Sequence, residues 1–233
     1  MLRGKNPSRT GTKIRHLIAK LNPKSPISEQ YRTIRTNIDF ASVDDEIRSL
    51  LVTSSGPAEG KSMTIANLAV VYAQQGKKVL LVDADLRKPT VHYTFRIDNL
   101  RGLSNLLVGE NYIEQVIQQT DVENLDVMTC GPIPPNPSEL LASKKMENLL
   151  EDLKGIYDMV IFDMPPVLAV TDAQIMANIV DGSILVVRSK HTEIEGAQKA
   201  IEALKPAKAK LLGAVLNDRE KKQSNYYYYY GAK

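Results

Sequence analysis

An apolar run that leads through a glycine-bearing turn into a helical stretch constrains this chain more than any other feature. The run SLLVTS (49–54) is followed by the turn SGPAEG (55–60) and by a helical pattern that Gly76 closes. A buried run, a tight turn and a helix form the first part of a β–α–β unit, the building block of parallel sheets. The pattern therefore predicts an α/β fold.

Apolar runs and helical patterns alternate along the rest of the chain. The later runs end at Asp83, Gly131, Asp163, Ser189 and Asn217. They are continuous rather than alternating, which is expected when helices cover both faces of a parallel sheet. We therefore expect a doubly wound, mostly parallel sheet in one P-loop NTPase-like domain. In such sheets ligands bind at the carboxyl ends of the strands.

Apolar spacing and capping residues predict further helices. The first of them is expected to begin at Ser28 as its cap, with Tyr31, Ile34 and Ile38 on one face. The predicted ranges are 28–42, 137–153 and 193–204.

The glycine-bearing turn has the composition of a phosphate-binding loop. Backbone N–H groups of such a loop point at phosphate oxygens, and the positive end of the following helix adds to the attraction. Lys61 would reach the β- and γ-phosphates, and the hydroxyl of Ser62 would ligate Mg²⁺. The strict pattern has glycine where this chain has Ser55, so the match is relaxed. The predicted nucleotide-binding residues are Ser55, Gly56, Pro57, Ala58, Glu59, Gly60, Lys61, Ser62 and Met63.

Three aspartates follow core strands. Asp83 and Asp85 stand where the run VLLVD ends, and both would point to the same side if the extended geometry persisted. Asp163 ends the run VIFD. Phosphoryl transfer needs a metal ion, a lysine on the phosphates and a carboxylate that accepts the attacking hydroxyl's proton. Together with Lys61, the three carboxylates predict a catalytic site for this chemistry.

The two ends of the chain have unusual compositions. Residues 1–28 hold seven basic residues and no acid, in a chain whose net charge is +3. Such an arm suits an anionic membrane surface, an acidic partner or simply water, whereas its lack of interleaved aromatics argues against nucleic acid. The predicted division is a flexible basic leader (1–27), the P-loop domain (28–217) and a flexible tyrosine-rich tail (218–233).

Five of the ten tyrosines stand in one run near the end of the chain. Five consecutive phenols cannot all find an apolar wall and a hydroxyl partner. We interpret them as phosphate acceptors, and the alternative is a sticky low-complexity tail without a function. The predicted autophosphorylation sites are Tyr226, Tyr227, Tyr228, Tyr229 and Tyr230.

Cysteine content and hydropathy predict the compartment. The single cysteine, Cys130, excludes an internal disulfide and fits a reducing cytosol. No apolar run approaches the ~20 residues that span a bilayer, and the first residues lack the core of a signal peptide. We expect a cytoplasmic protein.

Four motifs together resemble a known family. SSGPAEGKS, LLVDADLRKP and VIFDMPP are similar to the Walker A, Walker A′ and Walker B signatures of the bacterial tyrosine kinases (BY-kinases). EQYRTIR resembles that family's E-x-x-R-x-x-R element, and the terminal tyrosine cluster fits as well. The likeness runs from about Ser25 to the C-terminus. It is greatest to the cytoplasmic kinases of Firmicute exopolysaccharide and capsule operons.

The resemblance implies a role for each matching residue. Lys61 and Ser62 would bind ATP and Mg²⁺, Asp83 would be the base for the tyrosine hydroxyl, Asp85 a metal ligand, and Asp163 the Walker B aspartate that holds the metal's water shell. The family pattern also gives Glu29, Arg32 and Arg35 a role in joining subunits into a ring, which the resemblance implies to be an octamer. Without the family, those three residues read as an ordinary charged surface with i,i+3 pairs.

Asn217 has two interpretations that the sequence leaves open. It ends the last predicted strand, where it could touch the adenine or cap the local backbone.

The resemblance also implies partners. These are a separate membrane-spanning activator that recruits the kinase to the inner face of the membrane, a cognate tyrosine phosphatase and exogenous protein substrates. The expected outcome is control of exopolysaccharide or capsule synthesis through autophosphorylation in trans between subunits.

Two rival functions share this domain architecture. A spatial-organising ATPase of the partitioning type would carry a second lysine at the start of the loop, where this chain has Gly56. A regulatory nucleotide-binding module without transfer would not need Lys61, Asp83, Asp85 and Asp163 together. The organising ATPase also leaves the tyrosine run unexplained.

Overall fold

The computed structural model describes residues 17–41 and 46–220, and the chain there folds into seven strands with helices on both faces of the sheet. The strands are β1 (Ser49–Ser54), β2 (Val79–Asp83), β3 (Ile117–Gln119), β4 (Leu125–Met128), β5 (Met159–Asp163), β6 (Gly182–Arg188) and β7 (Lys210–Asn217). The helices are α1 (Ile18–Leu21), α2 (Pro26–Phe40), α3 (Lys61–Ala73), α4 (Val91–Phe95), α5 (Leu103–Val108), α6 (Pro137–Leu141), α7 (Lys144–Ile156), α8 (Asp172–Met176) and α9 (Ile194–Leu204). A 3₁₀ turn covers Ile113–Gln115.

The strand order is β3-β4-β2-β5-β1-β6-β7, and every neighbouring pair is parallel except β3 with β4. The predicted doubly wound α/β class is therefore confirmed. The antiparallel strand β3 was not predicted, because three residues of partial burial give no apolar run.

Two apolar cores cover the two faces of the sheet. One lies beneath α1, α2 and α3, and the other lies beneath α5 to α9. Helix α3 is the most buried of the longer helices: eleven of its thirteen residues are buried, which fits a helix that is apolar on nearly all sides. The predicted stripe on α2 packs onto the first core, with Ile38 buried and Tyr31 and Ile34 partly buried.

The structure corrects the predicted start of the helix at 28–42. The cap is Ser25, whose hydroxyl accepts a hydrogen bond from the Ser28 N–H (3.1 Å), and Pro26 occupies the first helical position. Ser28 lies inside the helix, where its hydroxyl donates to the Asn22 carbonyl (2.7 Å). A proline next to a serine was the better signal.

The predicted helix 137–153 is two helices, α6 and α7. Ser143 separates them, because its hydroxyl accepts from the Met146 N–H (3.2 Å) and starts a new helix. The boundary of the predicted leader is also wrong at its end: Leu17 and Ala19 are buried in the first core, so the packed domain begins before residue 28. Residues 1–16 lie outside the described chain.

Strand β7 departs from the expected burial on both faces. Each of its residues is exposed or partly exposed, and Leu216 is 52% accessible. The strand pairs on one side only, with β6, since it is the last strand of the sheet. No helix among the described residues combines the length and apolar character needed to span a bilayer.

A carboxylate ties the strands together at the end of the sheet opposite the predicted site. Asp181, just before β6, accepts hydrogen bonds from the N–H groups of Arg48 (3.0 Å) and Ser49 (2.8 Å) and from the Lys154 ammonium (2.9 Å). Burial acts to raise the pKa of Asp181, but the bonds from Lys154, Ser49 and Arg48 outweigh it and hold the pKa below its usual value.

We expect Asp181→Ala to lower the free energy of unfolding by about 2 kcal/mol at pH 7, because three donors lose a charged acceptor. A lowered folded-state pKa means that this stabilisation is present above the unfolded-state value of 3.8 and is lost as the pH falls through the folded-state pKa. Urea unfolding from pH 7 down to the lowest pH at which the parent stays folded measures the effect. Exposed Asp152→Ala is the control, and a pH-independent difference would contradict the assignment.

Candidate active site

The sheet brings the predicted site residues to one edge. Strands β1, β2 and β5 are adjacent and parallel, so the P-loop after Ser54 and the aspartates that end the other two strands meet there. Asp83 and Asp163 are register partners on neighbouring strands, and Val52 of β1 is the partner of Asp163 on the other side. Neighbouring strands lie about 4.8 Å apart, which places the two carboxylates side by side.

The predicted P-loop residues connect β1 to α3. Lys61, Ser62 and Met63 form the first turn of α3, and the preceding residues form the loop. Gly60 has φ +87°, and a Cβ at this position would lie 1.9 Å from Asn217 Nδ2. The positive φ favours glycine at residue 60, and a larger residue would also displace the Asn217 side chain.

Asn217 supports the loop from the end of β7. Its side-chain amide donates to the Glu59 carbonyl (2.9 Å). This is the structural one of the two roles that the sequence left open, and contact with an adenine stays a prediction.

Lys61 forms a buried ion pair with Asp163. Its ammonium donates to Asp163 Oδ1, and the two residues are 8% and 1% exposed. The sequence predicted that Lys61 reaches phosphates and that Asp163 serves a metal ion, but it did not predict that the two side chains pair with each other. A buried lysine needs such a partner, because an isolated charge at this depth is very costly.

Asp83 is fully buried beside this pair. Its Oδ2 accepts from the N–H groups of Thr90 and Val91, both at 2.9 Å. Burial first, and then the negative charge of Asp163, raise the pKa of Asp83 to about 7 against the lowering effect of the Val91 N–H, the Lys61 ammonium and the Thr90 N–H. A carboxylate with a pKa near neutrality is suited to act as a general base.

The donor set fits a magnesium ion that shares its coordination with phosphate and water. Asp83 Oδ1 and Asp163 Oδ2 are buried and accept no hydrogen bond within the described chain. The Ser62 hydroxyl, in the first turn of α3, lies 3.1 Å from Thr90 Oγ1. Among residues 17–41 and 46–220, no three His, Cys, Asp or Glu side chains are placed to hold an ion by themselves. Hard oxygen ligands from a hydroxyl, water and phosphate are what Mg²⁺ prefers.

Asp85 lies beyond the end of β2, so the same-side argument from an extended strand does not apply to it. Its Oδ1 accepts from the N–H groups of Arg87 (3.3 Å) and Lys88 (3.0 Å), which close a turn. The turn holds Asp85 at the predicted site, and its role as a metal ligand stays a prediction.

Sequence reasoning missed a group that anchors this turn. The Arg87 guanidinium donates through Nε and Nη2 to both oxygens of the fully buried Asp172 (2.9 and 3.0 Å), and the Ser138 hydroxyl donates to Asp172 as well (2.7 Å). A paired Arg–carboxylate contact fixes orientation as well as distance. Asp172 opens the short helix α8 far along the chain, and its sequence gives no signal of a partner.

The residues predicted to join subunits lie away from the site, on α2. Arg32 pairs with Glu29 three residues earlier and also donates to the Pro23 carbonyl (2.8 Å). Arg35 donates to the Val71 carbonyl (2.9 Å) and so ties α2 to α3. The predicted i,i+3 pair is present, and the subunit contact stays a prediction. The predicted acceptors Tyr226 to Tyr230 lie outside the described residues.

Cys130 is buried, as its position at a strand end suggested. Burial, with smaller contributions from the charges of Asp83 and Asp85, raises the pKa of its thiol to about 12. The thiolate form is therefore scarce near neutral pH, which does not favour thiol chemistry here.

We expect Asp83→Asn to stabilise the nucleotide-free protein by about 2 kcal/mol at pH 8, because the neutral amide removes a buried charge. A raised folded-state pKa means that the ionised carboxylate destabilises the fold fully above pH 7 and progressively less as the pH falls toward the unfolded-state value of 3.8. Urea unfolding at pH 8 and pH 5.5 should show the larger gain at pH 8. Asp152→Asn, on the exposed face of α7, is the control, and equal gains at both pH values would contradict the prediction.

Similar proteins point to one family. A family model described as an AAA domain matches residues 51–215. Tyrosine-protein kinase YwqD of Bacillus subtilis (strain 168) is 58% identical over 219 residues, which cover 94% of this chain and 92% of that protein. Putative tyrosine-protein kinase CapB of Staphylococcus aureus is 49% identical, and the match covers 90% of this chain and 92% of CapB.

Solved structures agree. The chimerical protein CapA2B2 superposes with a TM-score of 0.86 at 48% identity and covers 88% of this chain and 90% of its own. The septum site-determining protein MinD of Pyrococcus horikoshii, complexed with Mg-ADP, gives 0.63 at 27% identity over 72% of this chain and 69% of its own. The P-loop NTPase-like fold is thus shared more widely than the kinase motifs. Since YwqD and CapB match at high identity over nearly their whole length, this chain belongs to the bacterial tyrosine-kinase family.

Proposed function

We propose that this chain is an ATP-dependent protein-tyrosine kinase that transfers the γ-phosphate of ATP to tyrosine hydroxyls. One observation carries the proposal: a buried lysine, Lys61, meets two buried carboxylates, Asp83 and Asp163, at the foot of a P-loop. The similar proteins YwqD and CapB, a tyrosine-protein kinase and a putative tyrosine-protein kinase, support the same activity.

The loop and the lysine would bind the nucleotide. The backbone of residues 55–63 surrounds the phosphates, and Lys61 exchanges Asp163 for phosphate oxygens when ATP binds. This exchange keeps the ammonium paired in both states, so its burial stays compensated. When bound, Mg²⁺ supplies positive charge to the phosphate oxygens, and Ser62, Asp85 and Asp163 are the residues that would hold it.

Asp83 would accept the proton of the attacking hydroxyl. Its Oδ2 is fixed by two backbone N–H groups, which leaves Oδ1 without a partner in the described chain. The tyrosine oxygen forms a bond to the γ-phosphorus, the bond to the ADP oxygen breaks, and the phenolic proton passes to Asp83. A pKa of about 7 lets the group both accept and release that proton near neutral pH.

The tyrosine run gives the kinase a substrate within its own chain. We place the acceptors at residues 226–230, used in trans by a neighbouring subunit of a ring that involves Glu29, Arg32 and Arg35. Each phosphate adds about −1.5 to −2 charges at neutral pH, so several phosphates on neighbouring tails repel one another. Phosphorylation would then loosen the ring.

The family resemblance supports the remaining partners. They are a membrane-spanning activator that brings the kinase to the inner face of the membrane, a tyrosine phosphatase that resets the tail, and exogenous protein substrates. Control of exopolysaccharide or capsule synthesis is the proposed outcome.

A spatial-organising ATPase is the alternative function, and the likeness to MinD favours it at the level of the fold. Against it stands Gly56 at the loop position where that class carries its second lysine. The absence of a role for the tyrosine run in that class also argues against it.

Incubation with Mg-ATP and an activator's cytoplasmic segment, followed by mass spectrometry of phosphotyrosine, tests the kinase. We expect phosphate on residues 226–230 and at least a 100-fold loss in Lys61→Ala, because the phosphates lose their buried cation. A chain that ends at Asn225 should keep ATP turnover but lose the self-acceptor. Steady ATP hydrolysis with unmodified tyrosines would instead support the organising ATPase.

The mass of the oligomer tests the ring. Light scattering on phosphorylated and phosphatase-treated protein should give the larger mass for the treated sample, because repulsion between phosphates is removed. Glu29→Ala with Arg32→Ala should give the small form in both states. Equal masses for the two parent samples would rule out the cycle.

A further inference from the structure

The P-loop of this chain holds a shape that its own sequence does not favour. Serine stands at residue 55, where the strict pattern has glycine, and Ala58 has φ +62° although it carries a Cβ. Residues other than glycine pay an energetic cost in this left-handed conformation. Another group must therefore hold the loop.

The Glu59 side chain is that group. It is 3% exposed, and its carboxylate turns back along the loop. Oε1 accepts from the Ser55 hydroxyl (2.6 Å), and Oε2 accepts from the Gly56 N–H (3.1 Å). One carboxylate thus joins the last part of the loop to its first two residues.

The opposite side of the carboxylate is held from outside the loop. The Thr192 hydroxyl, in the connection between β6 and α9, donates to Glu59 Oε1. The same hydroxyl accepts from the Arg188 N–H (2.8 Å), and the Arg188 guanidinium donates to the Ala58 carbonyl (3.3 Å). The loop is therefore fixed between its own beginning and the ends of β6 and β7.

A carboxylate suits this position better than an amide. Two hydroxyls and one backbone N–H converge on its two oxygens, and both oxygens of an ionised carboxyl group accept. Glutamine has one acceptor oxygen, so its NH₂ group would face a donor. A negative charge beside a phosphate site would repel the ligand, and its burial against donors fits a role in shaping the loop rather than in touching the nucleotide.

We propose that Glu59 is a positioning residue. Its carboxylate compensates for the absence of glycine at residue 55 by holding Ser55 and the left-handed Ala58 in the nucleotide-binding shape. The inference rests on the proposed function, since it concerns the affinity of the same P-loop for a nucleoside diphosphate or triphosphate. The Glu59 contacts would explain why a loop that departs from the strict glycine pattern still binds nucleotide.

Calorimetric titration of the full chain with Mg-ADP tests the role. We expect Glu59→Ala to weaken binding about 10-fold and Glu59→Gln about 3-fold, because the amide keeps one acceptor. In tyrosine phosphorylation the KM for Mg-ATP should rise by a larger factor than kcat falls, which is the split expected of a residue that positions the loop for binding. Glu193→Ala, an exposed carboxylate next to Thr192, is the matched control.

A double-mutant cycle tests the link to residue 55. Ser55→Gly alone should weaken binding about 2-fold, and Ser55→Gly with Glu59→Ala should bind no worse than Glu59→Ala, because glycine no longer needs the carboxylate. Multiplied losses would overturn the link. Thermal unfolding of each variant shows whether it is folded.

Other outcomes separate the two proposals. If the parent binds Mg-ADP and Glu59→Ala binds it equally well, the positioning role fails and the proposed function stands. If Glu59→Ala loses kcat and thermal stability together while Glu59→Gln behaves like the parent, Glu59 is only structural. If the parent does not bind Mg-ADP at all, the proposed function fails, and this inference fails with it.

Discussion

The ion pair between Lys61 and Asp163 is the interaction on which the site depends. Lys61 at the start of α3 and the aspartates that end β2 and β5 are all buried, which would be prohibitive for each charge alone. Lys61 neutralises Asp163, and two backbone N–H groups stabilise one oxygen of Asp83. Burial first, and then the remaining negative charge of Asp163, raise the pKa of Asp83. The interactions that make the burial of these charges tolerable therefore also set the pKa of Asp83, the proposed base.

The carboxylates at the two ends of the sheet differ in how fully they are hydrogen-bonded. At the amino ends, Asp181 has three donors, two from the start of β1 and one from α7, and the result is a lowered pKa and added stability. At the carboxyl ends, Asp83 and Asp163 each keep an oxygen without a partner in the described chain. Unsatisfied buried oxygens cost stability, so their presence at one end marks where the fold accepts that cost for the sake of binding and catalysis.

The parts of the site that could be predicted are those that follow from local pattern. The strand ends at Ser54, Asp83 and Asp163 were found because apolar runs define strands, and parallel strands bring their carboxyl ends to one edge. The register of Asp83 with Asp163 could not be read, since no local signal says which strands are neighbours. Helix starts were misplaced where two serines competed, as at Ser25 and Ser28.

The sequence did not predict the side-chain contacts between residues on distant elements. Asp172 is 85 residues from Arg87, and Thr192 is 133 residues from Glu59, so their contacts exist only after the sheet has formed. The partial exposure of β7 was also unpredictable, because an edge strand and a central strand can carry the same apolar run. The fold class can therefore be predicted from the periodicity of the sequence. The contacts that support the site cannot, because they depend on which distant elements the topology brings together.

The burial of α3 has a consequence for motion. This helix begins with Lys61 and is enclosed by the core on nearly all sides, so its amides can exchange with solvent only when most of the domain opens. Lys61 therefore lies at the start of a helix that fluctuates little. Adjustment to an arriving or departing ligand must then come from the surrounding connections, and the helix itself serves as the fixed reference against which they move.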